Sequence, residues 1–184
     1  MKRTAVSLAI ALVLGGCGSA NPPSAAPRPA DAARALAGSP APLRSLHQQA
    51  ARLLDGGPAA FKARLASLQG HPVVVNKWAS WCGPCRSEFP FFQRLAVDLG
   101  RRVGFLGVNS SDSAGDAARF LRKYPVRYPS YNDPHQKVAA VFGAILAFPT
   151  TAFYDAGGKL AFVHQGAYAT AAKLRQDIAR YAGG

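Results

Sequence analysis

Two thiols stand three residues apart in Trp81-Cys82-Gly83-Pro84-Cys85, the segment of this 184-residue chain best suited to covalent chemistry. Paired cysteines at this spacing serve either metal binding or dithiol–disulfide exchange. A structural zinc ion takes four ligands, and no second such pair exists. His47, His71, His135 and His164 are scattered, with no two at a ligand spacing, so each is expected to be an ordinary surface or strand residue. No metal and no cofactor are expected. A purely structural disulfide here would close so short a loop that it would constrain little of the unfolded chain. Exchange chemistry has a clear physical route. The apolar run Val73-Val74-Val75 ending at Trp78 precedes the pair, and a helical pattern follows it. A cysteine at a helix N-terminus faces unpaired N–H groups and the positive end of the macrodipole. Both favour thiolate, the nucleophilic form. Cys82 is then the attacking sulfur. Cys85, one turn on, resolves the mixed disulfide. Pro84 suits a first helical turn, where a missing N–H costs little.

Other residues around this pair invite a role. Glu88 is the only glutamate in the chain and lies three residues after Cys85. Positions three apart on a helix share a face, so Glu88 can tune or deprotonate Cys85; the competing reading is a surface acid near a helix start. Lys77 interrupts the apolar strand and is expected to snorkel, with its stem packed, rather than to act chemically. Trp81 either shields Cys82 or fills core space. Pro90 is expected to kink the helix.

These groups need a frame. Leu46, Ala50, Leu53 and Leu54 fall at helical spacing, Gly56-Gly57-Pro58 breaks that helix, and Phe61, Leu65 and Leu68 continue on another. The strand through residues 73–78 is followed by a helix over 82–99, a strand over 103–108, a helix over 114–123, a short strand over 128–131 and a helix over 134–142 with proline in its first turn. Strands over 149–154 and 160–164 flank the turn Asp155-Ala156-Gly157-Gly158. A last helix over 170–181 has Thr170 as N-cap. The order is βαβα, then ββα.

Residues 72–90, from Pro72 through Asn76, Trp78, the Trp81–Cys85 segment and Glu88 to Pro90, resemble the TlpA/ResA type of membrane-tethered thiol–disulfide reductases within the thioredoxin superfamily. The resemblance runs from about His71 to the last helix. It implies a thioredoxin-like three-layer α/β/α fold with a mixed central sheet, here with an N-terminal helical extension. Phe148-Pro149-Thr150 matches the family's cis-proline loop, which faces the cysteine pair and whose backbone meets the substrate chain. On its own residues this proline could equally be a trans proline opening an edge strand. By resemblance, Pro149 joins Cys82, Cys85 and Glu88 as catalytic, while Trp81, Gly83, Pro84, Phe148 and Thr150 contact substrate. Thioredoxin carries a buried aspartate where this chain has Asn76, which cannot titrate. ResA-type reductases carry an active-site glutamate where Glu88 stands.

The third cysteine has a separate setting. Lys2 and Arg3 precede the apolar stretch from Thr4 to Leu14, which is too short to span a bilayer. Leu14-Gly15-Gly16-Cys17 resembles a bacterial lipobox, which implies cleavage before Cys17 and lipidation of its sulfur. An ordinary secretory signal with an incidental cysteine is the alternative. Residues 18–43 hold six prolines and nine alanines and read as a tether. The expected organisation is a signal peptide over 1–16, a lipid-anchored tether over 17–43 and a thioredoxin-like domain over 44–184.

Hydrophobic residues make up 49% of the chain, enough for a packed core, and the formal net charge is +13. Removing Lys2 and Arg3 with the signal leaves 20 basic residues against nine acids, or +11. No run of like charge forms a binding arm, so no nucleic-acid partner is expected. The expected function is reduction of protein disulfides outside the cytoplasm, with a membrane thiol–disulfide electron carrier as reductant and lipid as anchor; the resemblance suggests apocytochrome c or another envelope protein as substrate. A monomer is expected. The Gly-Pro dipeptide between the cysteines resembles reducing thioredoxin, whose potential is about −270 mV. Oxidation of secreted thiols, metal delivery and a non-catalytic binding module are the rival readings.

Overall fold

A computed structural model describes residues 26–183. The signal, Cys17 and the start of the tether lie outside the described residues. At the centre is strand β2 (Val73–Trp78), buried along its whole length. It pairs in parallel with β3 (Gly104–Ser110), and β3 pairs in parallel with β4 (Ser130–Asp133). On its other side β2 pairs antiparallel with β5 (Thr150–Tyr154), which continues antiparallel into β6 (Leu160–Gln165). A two-residue strand, β1 (Leu53–Leu54), closes the far edge beside β4, so the sheet order is β1-β4-β3-β2-β5-β6. This is the mixed sheet of a thioredoxin-like fold, as expected.

The two-residue period of β2 divides its side chains between two cores. Val74 and Trp78 face α4 (Gly83–Asp98), α5 (Ala114–Lys123) and α7 (Ala171–Tyr181). Val73 and Val75 face α2 (Ala41–Gln48), α3 (Gly57–Ser67) and α6 (Lys137–Ala140). Asn76 therefore lies on the α4 side and Lys77 on the α6 side. Helices thus cover both faces, as a sheet with parallel central strands requires. Gly107 of β3 permits close approach across the sheet. A Cβ there would collide with Ser130 Oγ and lie 3.0 Å from Trp78 Nε1, breaking the Trp78 Nε1–H to Ser130 Oγ bond of 3.2 Å.

Several boundaries differ from the sequence reading. Helix α1 (Pro29–Leu36) and the start of α2 occupy part of the segment read as tether. Ala32 and Leu43 are fully buried, so alanine and leucine at helical spacing outweigh the proline content, and Pro29 and Pro42 sit in first turns where proline is tolerated. Residues 53–54 form β1 because sheet pairing with Ser130 and Tyr131 outweighs helical spacing. The helix expected over 134–142 shrinks to α6, because Asp133 accepts the Val138 and Ala139 N–H groups and starts the helix later. Thr170 caps α7 as expected, its side chain accepting the Lys173 N–H. Among the described residues no helix is long and apolar enough to cross a membrane.

Candidate active site

The junction of β2 and α4 builds the site. Cys82 is the N-cap of α4, and its Sγ accepts the backbone N–H of Cys85 at 3.1 Å. Gly83 and Pro84 form the first helical positions and are exposed. Cys82 and Cys85 are joined by a disulfide with Cα atoms 5.3 Å apart. Cys85 is fully buried, whereas Cys82 retains slight exposure. On reduction, Cys82 Sγ keeps a helix-capping N–H and the end of the helix dipole, which favour its thiolate. Cys85 has no such place. Pro90 lies within α4, where it removes an N–H bond to the preceding turn.

Glu88 is on the face of α4 that carries Cys85, and it is completely buried. It is not a surface acid. Its Oε1 accepts from Asn76 Nδ2 at 2.8 Å and its Oε2 from the Tyr168 backbone N–H at 3.0 Å. Burial pushes its pKa up to about 7, against the opposing pull of those two hydrogen bonds. Asn76 is itself buried, and its Oδ1 has no partner. The amide can therefore serve both protonation states of Glu88, donating through Nδ2 to the carboxylate or, turned over, accepting at Oδ1 from the carboxylic acid.

The Phe148–Pro149 peptide is cis, as the family loop implies. The register Lys77↔Thr150 ends β5 beside the end of β2, so the loop abuts the cysteine turn. Trp81 and Phe148 pack with ring centroids 5.0 Å apart. Trp81 is neither core nor a full shield. It is 57% exposed and held by its Nε1–H bond to Ser111 O. The Thr150 side chain is buried and bonds Ala147 O at 2.9 Å, tying the loop together. Lys77 also departs from expectation. It does not snorkel but is entirely buried, and burial lowers its pKa to about 8 against the opposing charge of Asp133.

Sequence reasoning missed Asp112. Its carboxylate accepts from Ser80 N–H at 2.6 Å, Ser80 Oγ at 2.9 Å and Asn109 Nδ2 at 2.8 Å, anchoring the turn that carries Cys82 to the end of β3. It missed Tyr168 as well, whose backbone holds Glu88 and whose hydroxyl donates to Asp177 at 2.9 Å. Both partners lie far along the chain, and neither sits in a local motif. Among the described residues no group of three or more His, Cys, Asp or Glu side chains could hold a metal ion.

A family model described as the AhpC/TSA family matches residues 42–163, more than half of the chain. The chain belongs to the AhpC/TSA family. Curated relatives are similar over part of the chain. It is 30% identical over 105 residues to the thiol-disulfide oxidoreductase ResA of Oceanobacillus iheyensis, covering 56% of this chain and 54% of the relative. It is 32% identical over 137 residues to the thiol:disulfide interchange protein DsbE of Xylella fastidiosa, covering 72% and 63%. The chain thus spans less than two-thirds of the length of these relatives. Among solved structures, a putative DsbE from Chlorobium tepidum superposes with a TM-score of 0.58 at 29% identity, covering 64% of this chain and 84% of that one. The exposed lipoprotein thioredoxin of Streptococcus pneumoniae gives 0.53 at 28% identity, covering 63% and 89%. Together with the sheet order and the cis-proline loop, these place the AhpC/TSA member in the thioredoxin-like fold.

Proposed function

We propose that this protein is a thiol–disulfide oxidoreductase that reduces protein disulfides on the outer side of the membrane. The observation that carries the reading is Cys82 Sγ capping α4 through the Cys85 N–H, with Glu88 buried one turn beyond the pair. In the reduced protein, the Cys82 thiolate attacks one sulfur of a substrate disulfide. A Cys82–substrate bond forms and the second substrate sulfur leaves as a thiolate that takes up a proton. Cys85 must then lose its proton, and Glu88 accepts it directly or through one water. Cys85 attacks Cys82 Sγ, the mixed disulfide breaks, and the second substrate thiol is released. Two electrons pass to the substrate and the Cys82–Cys85 disulfide remains. A membrane dithiol carrier returns it to the reduced form.

The lipobox-like Leu14-Gly15-Gly16-Cys17 supports anchoring by lipid on Cys17, and a structural neighbour is named as a lipoprotein. Relatives named DsbE support cytochrome c maturation as the process served. Gly-Pro between the cysteines supports reduction over oxidation of secreted thiols.

The test is a pair of substitutions. Cys82→Ser abolishes reduction of insulin disulfides. Cys85→Ser retains attack but loses resolution, so it accumulates mixed disulfides visible on non-reducing gels. Trapping by Cys82→Ser through Cys85 instead would overturn the assignment. A reduction potential for the pair far above the thioredoxin value of about −270 mV would favour oxidation.

A further inference from the structure

A lysine buried in a central strand is rare unless it is paired, and among the described residues no carboxylate bonds the Lys77 ammonium group. Asp133, the acid that acts on it through space, is occupied by the Val138 and Ala139 N–H groups and by Ser110 Oγ. The three hydrogens of Lys77 Nζ instead meet neutral acceptors: Gln136 Oε1 at 2.8 Å, Ile145 O at 3.0 Å and Ala147 O at 3.3 Å. The same atom lies 3.7 Å from the centroid of the Phe148 ring, a cation–π contact. Two of these carbonyls and the ring belong to one irregular segment, residues 143–149, which leads into Pro149.

The consequence of this clamp is directional. The carbonyls of residues 145 and 147 are drawn inward, and the side chains of the segment are displayed outward. Leu146 is 94% exposed and Ile145 49%. With Trp81 they are three of the four large apolar side chains exposed among the described residues. Phe148 is held between Lys77 beneath it and Trp81 beside it. Burying a cation without a bonded counter-charge costs desolvation, so an apolar side chain would hold the strand more cheaply. What only the cation does is fix three acceptors and a ring in one geometry.

We propose that Lys77 is a positioning residue that sets the Pro149 loop for polypeptide substrates, so that Ile145, Leu146 and Trp81 form an apolar platform for the chain flanking the attacked disulfide. The proposal rests on the oxidoreductase reading above. A protein substrate uses the platform; a small disulfide reaches Cys82 without it. Lys77 thus governs which disulfides are reduced well, not the thiol chemistry.

The experiment compares wild type with Lys77→Met, which keeps the stem and removes the charge, and with Gln136→Leu, which removes one acceptor and leaves the strand intact. Each is measured with insulin under dithiothreitol turnover, and in its reduced form with glutathione disulfide in single turnover; the Cys82–Cys85 reduction potential is measured alongside. Lys77→Met should lower kcat/KM for insulin about tenfold, mainly through KM, since losing hydrogen bonds to a charged group is worth at least that much. Gln136→Leu should lower it less, about threefold, because the two backbone carbonyls and the Phe148 ring still hold the ammonium group. Rates with glutathione disulfide should stay within about twofold, the scatter expected of a change that spares the reacting sulfurs, and the potential should not move. If Lys77→Met does not fold, Gln136→Leu decides alone. Equal losses on both substrates, a shifted potential, or an unchanged insulin KM in folded protein would overturn the proposal. A wild-type protein that reduces neither disulfide would instead overturn the oxidoreductase reading itself.

Discussion

Glu88→Gln tests the proton acceptor through stability as well as rate. In the folded protein burial raises the Glu88 pKa from 4.5 to about 7. At 1.36 kcal/mol per unit, this corresponds to about 3 kcal/mol between the two protonation states. Below pH 4.5 the folded and unfolded chains both hold the proton and the group contributes nothing. Between pH 4.5 and 7 the unfolded chain releases it while the folded chain keeps it, so stability falls as pH rises, and above pH 7 the loss is complete. A glutamine at this position does not titrate. Its amide can still fill the same space, with Oε1 accepting from the Tyr168 N–H and Nε2 donating to Asn76 Oδ1, which otherwise has no partner. The variant should therefore fold, and its stability relative to wild type should rise by up to about 3 kcal/mol from pH 4 to pH 8. Urea denaturation of the oxidised proteins at intervals of pH measures this, with the thiols excluded from the titration. In the reduced proteins, removing the charge should lower the apparent thiol pKa by relieving like-charge repulsion. It should also slow resolution near neutral pH, because Cys85 loses its local base. A stability difference that does not change with pH, together with an unchanged pH–rate profile, would refute the argument.

Cys17→Ala should move the protein from the membrane fraction to the soluble fraction and leave insulin reduction by the purified protein intact; retention in membranes would point to an uncleaved anchor. Asp112→Ala strips the acceptor from Ser80 N–H, Ser80 Oγ and Asn109 Nδ2 and should destabilise the domain by about 2 kcal/mol in urea melts. A loss below about 0.5 kcal/mol would mean that the cysteine turn holds its shape without this anchor.

What the sequence made legible is local. Cys82, Pro84 and Thr170 take the capping and first-turn positions that their chemistry predicts, because a cap is decided within four residues. The alternation along Val73–Trp78 likewise places Asn76 and Lys77 on opposite faces of β2. What was not legible depends on partners remote in sequence. The spacing of Glu88 from Cys85 identifies a shared helix face, but its burial is completed by the segment around Tyr168, 80 residues on, whose N–H it accepts, and that burial raises its pKa against the pull of the bond. Lys77 reads as a snorkelling side chain because its acceptors, Gln136, Ile145 and Ala147, come from a different stretch of chain folded over the strand. The two residues stand on opposite faces of one strand–helix junction, and each carries an ionisable group that burial pushes toward its neutral form. Their surroundings separate their roles. Glu88 is bonded to an amide that can accept or donate, so it can change protonation state during a reaction. Lys77 is bonded only to acceptors, so deprotonation would leave one of its three acceptors unpaired and remove the attraction to the Phe148 ring, and its place in the site is to stay charged and hold the loop still.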